Sequence, residues 1–126
     1  MKSPLPSPPT PRELDLLQVL WPISPATVQQ VHQLMSKERP DLSHGAILRL
    51  MQIMHTKDLL VRDETHRFHL YSPAQAQEIV QTSLMRQLIQ SAFSGSASAM
   101  LMTLVRSGTS EQEREEIQRL VREHAN

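Results

Sequence analysis

The hydrophobic residues of this chain follow two different periods, and the change between them limits the possible folds more than any other feature. Segments at about 11–20, 25–37 and 44–57 space apolar residues three and four positions apart, as amphipathic helices do. Two short β-forming runs follow, at 59–63 and 67–71, separated by only three residues. A hairpin this small is unstable alone and must pack against the helices. The pattern therefore predicts a winged helix-turn-helix.

Capping residues mark the starts of several helices. The segment 10–13, Thr-Pro-Arg-Glu, offers a hydroxyl N-cap, a proline at the first helical position and a glutamate at the third. The segment 72–75 repeats this pattern with glutamine in place of glutamate, and 110–113, Ser-Glu-Gln-Glu, is a third capping box; they predict the starts of two later helices. The pair Ser24-Pro25 predicts the start of the second helix, and Ser43 predicts the start of the third.

Three more helices are predicted after the hairpin, at about 73–93, 97–107 and 111–124. Gly108 stands where a helix commonly ends in a left-handed residue. These helices carry apolar stripes but lack the mass to close a core alone, so we expect them to pair with a second copy of the chain. The predicted dimer contacts are Leu84, Leu88, Met100, Leu101, Leu104, Val105, Ile117, Leu120 and Val121.

Composition excludes several classes of protein. The 13 Lys and Arg balance 13 Asp and Glu, and this zero net charge argues against strong non-specific binding to nucleic acid, although local charge still permits DNA binding. The absence of cysteine excludes disulfides, cysteine-ligated metals and thiol catalysis. No apolar run approaches the ~18 residues of a membrane span, and the N-terminus lacks the apolar stretch of a signal peptide. We therefore expect a cytoplasmic protein without membrane insertion.

The third predicted helix is the one that would enter the major groove of DNA in this fold. Its outward face carries Arg49, which can bond guanine in bidentate fashion, and Gln52, which can do the same with adenine. Leu48 could contact thymine methyl groups, and Gly45 could let the backbone approach a phosphate. The other predicted contacts on this helix are His44 and Thr56. The alternative interpretation is a solvated helix face with one stray leucine.

The predicted hairpin offers a second set of DNA contacts. His66 and Arg67 lie together at its tip and Arg62 lies nearby, so the wing could place positive charge on the DNA backbone or in the minor groove. Asp63 and Glu64 belong to the same loop and offset these cations. An ordinary charged turn is an equal alternative.

Metal and catalytic sites are not indicated. His66 and His69 lie three positions apart on a strand or turn and diverge, and the other histidines lack a partner at metal-ligand spacing. No nucleophile elbow, phosphate-binding loop or catalytic triad stands out. The sequence predicts no metal, no cofactor, no catalytic residue and no enzymatic activity.

The predicted elements divide the chain into three regions. Five of the nine prolines lie at positions 4 to 11, so residues 1–10 are predicted to be a disordered arm. Residues 11–72 form the predicted winged-helix DNA-binding domain, and residues 73–126 form the helical dimerisation region. The fold class is mainly α with a small β-hairpin.

Three segments of the chain resemble the penicillinase repressor family, the BlaI/MecI/CopY type of transcriptional regulator. The segment 13–21 is similar to the family's opening pattern E-L-x-x-(M/L)-x-x-(L/I)-W. The segment 45–60 resembles its recognition helix, and 67–73 resembles its wing and exit. The resemblance covers about residues 10–124 in one register.

The resemblance implies a homodimeric winged-helix repressor in which each subunit reads half of a dyad operator in double-stranded DNA. In the antibiotic-resistance members it also implies a membrane sensor protease that cuts the dimerisation helices. Their scissile Asn-Phe is replaced here by Thr103-Leu104, and the copper-sensing branch uses cysteines that this chain lacks. Asp58 and His66 stand where the family often has glycine.

We therefore expect a sequence-specific DNA-binding repressor acting as a homodimer. The alternative is a winged-helix module that binds other proteins and never binds DNA, an interpretation that the zero net charge favours slightly.

Overall fold

The computed structural model describes residues 8–124, which form six helices and one hairpin. The elements are α1 (Pro11–Ile23), α2 (Val28–Met35), α3 (His44–Thr56), β1 (Leu60–Asp63), β2 (Leu70–Pro73), α4 (Gln77–Ala92), α5 (Ala97–Arg106) and α6 (Glu111–His124). The predicted class, mainly α with a small hairpin, is confirmed. The chain divides into two compact units after Leu84, within α4.

The starts of α1 and α3 lie where the capping residues predict them. The Thr10 hydroxyl accepts a hydrogen bond from the Glu13 amide at 3.2 Å, and the Glu13 carboxylate accepts one from the Thr10 amide at 2.8 Å. The Ser43 hydroxyl caps α3 by accepting from the Ala46 amide at 3.1 Å. Each cap pairs an amide that the helix leaves free.

The start predicted for α2 is wrong. Ser24 is the C-cap of α1, and α2 begins only after Thr27, which forms a capping box with Gln30. Between the two helices, Ala26 pairs with Tyr71 of β2 through two backbone hydrogen bonds of 3.0 and 2.8 Å. Because of this pairing, the segment after α1 is extended and adds a third short strand segment beside the hairpin.

The hairpin strands are shifted from their predicted positions. β1 and β2 are antiparallel, with Leu60 opposite Pro73 and Asp63 opposite Leu70. The connection spans residues 64–69 instead of three residues, so residues 67–69 belong to the loop and not to a strand. The predicted capping box at 72–75 is also wrong, because β2 occupies its first half and α4 begins at Gln77.

The core of the first unit is aliphatic, and the hairpin closes it. Its buried residues come from the first three helices, the hairpin, the first turn of α4 and the connections between these elements: Leu16, Leu17, Leu20, Ala26, Val31, Met35, Leu42, Ile47, Met51, Met54, Leu59, Leu60, Tyr71 and Val80. Pro9 is buried as well, so the end of the predicted arm is packed, whereas residues 1–7 of that arm lie outside the described residues.

The second unit contains the later part of α4 with α5 and α6. No residue of α5 or α6 is buried within residues 97–106 and 111–124. Gly108, between these helices, has a φ of +91°, as predicted for a residue that ends a helix in the left-handed region. A unit with so little buried surface cannot be held by its own core.

Candidate nucleic-acid interface

Helix α3 is fixed by its inner side, which leaves the opposite side free. Ile47, Met51 and Met54 are fully buried, whereas Arg49 and Gln52 are exposed. Because the two sets lie on opposite sides of one helix, packing of the inner set determines the direction of the outer set. The sequence-predicted Arg and Gln are thus brought together on one accessible face of α3.

The other predicted contacts on α3 surround this pair. Gly45 and Thr56 are exposed, and Leu48 is half-buried. A Cβ added at Gly45 would meet no atom closer than Ser43 Oγ, at 3.9 Å, so the space outside this turn is open. The Thr56 hydroxyl donates to the Gln52 carbonyl at 3.0 Å, which leaves its oxygen lone pairs available as acceptors.

His44 opens α3 and contacts a second histidine. Its ring packs edge-on against the ring of His32, with 5.8 Å between the centroids. His32 is itself held by a hydrogen bond of 3.0 Å between Nε2 and the Leu42 carbonyl, so Nε2 is the donor. His44 is exposed at the first position of α3 and packs against His32, which the hydrogen bond holds in place.

The turn after α3 requires a left-handed residue, and Asp58 supplies it. Its φ is +62°, and the Leu59 amide then bonds the Met54 carbonyl at 2.9 Å. Glycine is the usual residue in this conformation, and aspartate is among the side chains that tolerate it best. The turn therefore forms with Asp58 at the position where the family often has glycine.

The wing loop pairs most of its own charges. Arg62 forms an ion pair with Glu64, and its hydrogen bonds to Tyr71 and Glu64 raise the pKa of the guanidinium. His66 Nε2 lies 3.7 Å from Asp63 Oδ2. The hydroxyl and amide of Thr65 also donate to Asp63 and lower the pKa of its carboxyl.

Arg67 differs from Arg62 and His66. Within the described chain it pairs with no carboxylate, and its Cζ lies 5.6 Å from the centroid of the Phe68 ring. Of the three predicted wing contacts, Arg67 therefore keeps an available charge, whereas Arg62 and His66 are paired within the loop.

A notch of about 320 Å³ separates the wing from the start of α3. Three parts of the chain line it: the start of α2 with Thr27, Val28 and Gln29, the first turns of α3 with His44 and Leu48, and the hairpin with Arg67, Phe68, His69 and Tyr71. No role was predicted for Phe68. Residues 67–71 were predicted to be a strand, and only the observed loop of residues 64–69 places this ring outside.

A second residue overlooked in the sequence is Ile53. It is 41% exposed and lies in a shallow groove along α3 with Arg49, Gln52, Thr56 and Lys57. Its position one turn after Arg49 is the signal that could have placed it on the outer face. The outer face of α3 thus has apolar residues at both edges, with Leu48 toward the wing and Ile53 on the other side.

The residues predicted for the dimer contact fall into two groups. Leu84 packs against the core of the first unit. In the second unit, Leu88, Leu101, Leu104, Leu120 and Val121 are exposed to between 37% and 50%. Met100, Val105 and Ile117 are half-buried.

The described residues contain neither a metal-binding cluster nor a single membrane-spanning helix. Within residues 8–124, no three His, Cys, Asp or Glu side chains are placed to hold a metal ion. No single described helix is long and apolar enough to cross a membrane; α4 and α5 reach that length and composition only as a pair bent by 92°.

Comparison with known proteins agrees with the geometry of α3 and the wing. No individual curated protein matches the chain. The family model described as "Penicillinase repressor" matches residues 9–123, which include both units. The chain therefore belongs to the penicillinase repressor family, a family of DNA-binding regulators of transcription.

Proposed function

We propose that the protein is a homodimeric repressor that blocks transcription by occupying a dyad operator. The observation that carries the proposal is the outer face of α3, where Arg49 and Gln52 are exposed on a helix anchored through Ile47, Met51 and Met54. Residues 11–72 would bind DNA and residues 73–126 would form the dimer.

The base-reading role is assigned to two side chains. Arg49 would donate to guanine O6 and N7, and Gln52 would pair with adenine N6 and N7. Leu48 and Ile53 would contact thymine methyl groups at the edges of the face. His44, Gly45 and Thr56 would contact the DNA backbone or approach it closely, and Arg67 would place its charge on the backbone or in the minor groove.

The homodimer is supported by the second unit. Exposed leucines and valine on α5 and α6 would leave a large apolar surface in water. A second copy would cover this surface and place two reading helices on one duplex. Two-fold symmetry then predicts half-site centres about 10 base pairs apart, or a multiple of that spacing.

Release of the repressor from DNA by a sensor protease has less support than the homodimer. The bond that corresponds to the family's cleavage position, Thr103–Leu104, lies inside α5, where the Thr103 hydroxyl donates to the Ala99 carbonyl at 3.0 Å. Cleavage there would require α5 to open locally.

The test compares Arg49→Ala with a matched control, Arg39→Ala. Arg39 pairs with Asp15 at 3.5 Å and lines a different groove, between α1 and α2. On a duplex selected by the wild-type protein from a random library, Arg49→Ala should weaken binding by about 5- to 150-fold and relax the base choice at one pair. Arg39→Ala should bind as the wild type does.

Two outcomes contradict the proposal. If Arg49→Ala lost affinity equally for selected and random DNA, Arg49 would not read bases. If the selection enriched no sequence at stated salt, the interpretation as a protein-binding module would replace the repressor.

A further inference from the structure

We propose that Phe68 enters the minor groove next to each half-site, with Arg67 beside it, and that this contact makes the protein prefer A·T pairs there. The inference rests on the proposed function and adds a residue that determines specificity. Its starting point is that Phe68 is 66% exposed, the highest value among the large hydrophobic residues in the described chain.

The exposure of Phe68 alone would not support the proposal, because single apolar side chains are common on protein surfaces. The position of this one is the argument. Phe68 lies in the wing loop and lines the notch opposite Leu48, which belongs to the reading helix. The ring therefore borders the same gap as the proposed reading face.

The charges of the wing exclude a simple phosphate clamp. Arg62 is paired with Glu64, and His66 lies beside Asp63. Because Arg62 is paired inside the loop and Asp63 and Glu64 add negative charge beside it, the loop gains little from counterion release. What remains at its tip is one aromatic ring with one guanidinium 5.6 Å from its centre. That pair suits a groove that accepts an apolar ring and one cation.

The geometry of duplex DNA supplies the groove. One sugar–phosphate strand separates the major groove from the neighbouring minor groove. With α3 in the major groove, that strand occupies the notch of about 320 Å³ between α3 and the wing. The far side of the notch, where Arg67 and Phe68 lie, then faces the minor groove.

The chemistry of the minor groove predicts the preferred sequence. A·T tracts have a narrow groove with strong negative potential, which attracts arginine. Apolar side chains there act as wedges against base steps. A G·C pair adds the guanine N2 amino group, which projects into the groove where the ring would lie.

The test uses the selected operator with three kinds of flanking pair. Flanks of A·T, G·C and inosine·C are compared, because inosine lacks the N2 amino group and gives the minor groove of A·T with the major groove of G·C. The wild type should bind the G·C flank about tenfold more weakly and recover on the inosine·C flank.

The variants are Phe68→Ala, Phe68→Leu and Arg67→Ala. Phe68→Ala should bind the A·T operator about 5- to 10-fold more weakly and become indifferent to the flank. Its salt dependence should equal that of the wild type, since no charge is removed. Phe68→Leu should keep most of the flank preference, and Arg67→Ala should lose part of it with a shallower salt slope.

Other results would overturn the inference. One is Phe68→Ala matching the wild type on all flanks, and another is inosine·C behaving as G·C, which would place the readout in the major groove. A change in self-association instead of DNA affinity, measured by sedimentation, would assign Phe68 to a protein contact. In each case the Arg49 result is unaffected, so failure here is distinguishable from failure of the repressor proposal.

Discussion

Lys57 Nζ lies 2.8 Å from Glu13 Oε1 and 3.1 Å from Glu13 Oε2. Glu13 is only 2% exposed and belongs to the first turn of α1, whereas Lys57 is the C-cap of α3. The same carboxylate accepts the Thr10 amide. One buried group therefore caps α1 and links it to the end of α3.

Removing the lysine should destabilise the protein. Lys57→Met leaves the Glu13 carboxylate buried without its cation, and we expect a loss of about 2 kcal/mol in the free energy of unfolding. The loss is smaller than for a fully buried pair because the Lys57 side chain is 29% exposed. Urea unfolding at one protein concentration measures it. Lys37→Met, at an exposed lysine, is the control, and equal losses in both variants would contradict the role of the pair.

Stability should fall in acid through the same group. Burial raises the pKa of Glu13, but the hydrogen bonds from Lys57 and the Thr10 amide, with the charge of Lys57, bring the pKa below its ordinary 4.5. Below pH 4.5 the unfolded chain therefore takes up the proton first, so the contribution present above that pH is lost as the pH falls through the folded pKa.

The measurement is urea unfolding from about pH 6 to pH 3 for the wild type and Glu13→Gln. Other carboxylates affect both proteins alike, so the difference between the two curves isolates Glu13. The stability advantage of the wild type should shrink below pH 4.5. A constant difference across this range would show that Glu13 has the same pKa folded and unfolded.

Local signals in the sequence predict a helix start correctly where no distant segment pairs with the same residues. Thr10 and Ser43 cap their helices because the hydroxyl, the following turn and the apolar stripe all favour the same start. The inner side of α3 followed from the period of its apolar residues, and with it the outward placement of Arg49 and Gln52. This part of the candidate site was therefore predictable.

Pairing between distant segments determined the start of α2 and the end of β2, which local signals did not predict. Ser24 was the predicted N-cap of α2, but Thr27 caps it, because Ala26 is bonded to Tyr71, 45 positions away by their numbers, and keeps the chain extended up to that point. Pro73 pairs with Leu60 and stays in the sheet, although it reads as the first residue of a helix. The charges of the wing were visible in the sequence, but their pairing depends on the loop conformation.

Trp21 provides a test of the packing that follows the hairpin. Its indole Nε1 donates to the Gln75 carbonyl at 3.1 Å, between β2 and α4. Trp21→Phe keeps an aromatic ring but loses this bond, so we expect a loss of about 1 kcal/mol. Circular dichroism is the probe, because this is the single tryptophan and its fluorescence disappears with it.

The control for Trp21 is Gln18→Ala. Gln18 meets Gln77 through an exposed contact of 3.4 Å, which is long enough to contribute little. We expect its stability to stay within about 0.5 kcal/mol of the wild type. If Trp21→Phe were equally neutral, the indole bond would not contribute to holding the segment before α4.

The apolar stripe of α6 should decide the oligomeric state. Leu120→Glu places a charge among exposed apolar residues that we propose to be covered by a second copy, and burying that charge is costly. We expect the dissociation constant of the dimer to rise at least about tenfold, measured by sedimentation. Gln112→Glu, at an exposed polar position of α6 outside the stripe of Ile117, Leu120 and Val121, adds the same charge and should leave the dimer intact.

DNA binding gives a second measure of the same change. Two linked half-sites bind more tightly than one because the second contact forms at high effective concentration. Leu120→Glu should therefore lose affinity for the full operator while binding an isolated half-site as the wild type does. A variant that stayed dimeric, or that lost affinity for the single half-site as well, would show that this stripe has another role, since the reading face of α3 lies in the other unit and is unchanged by the substitution.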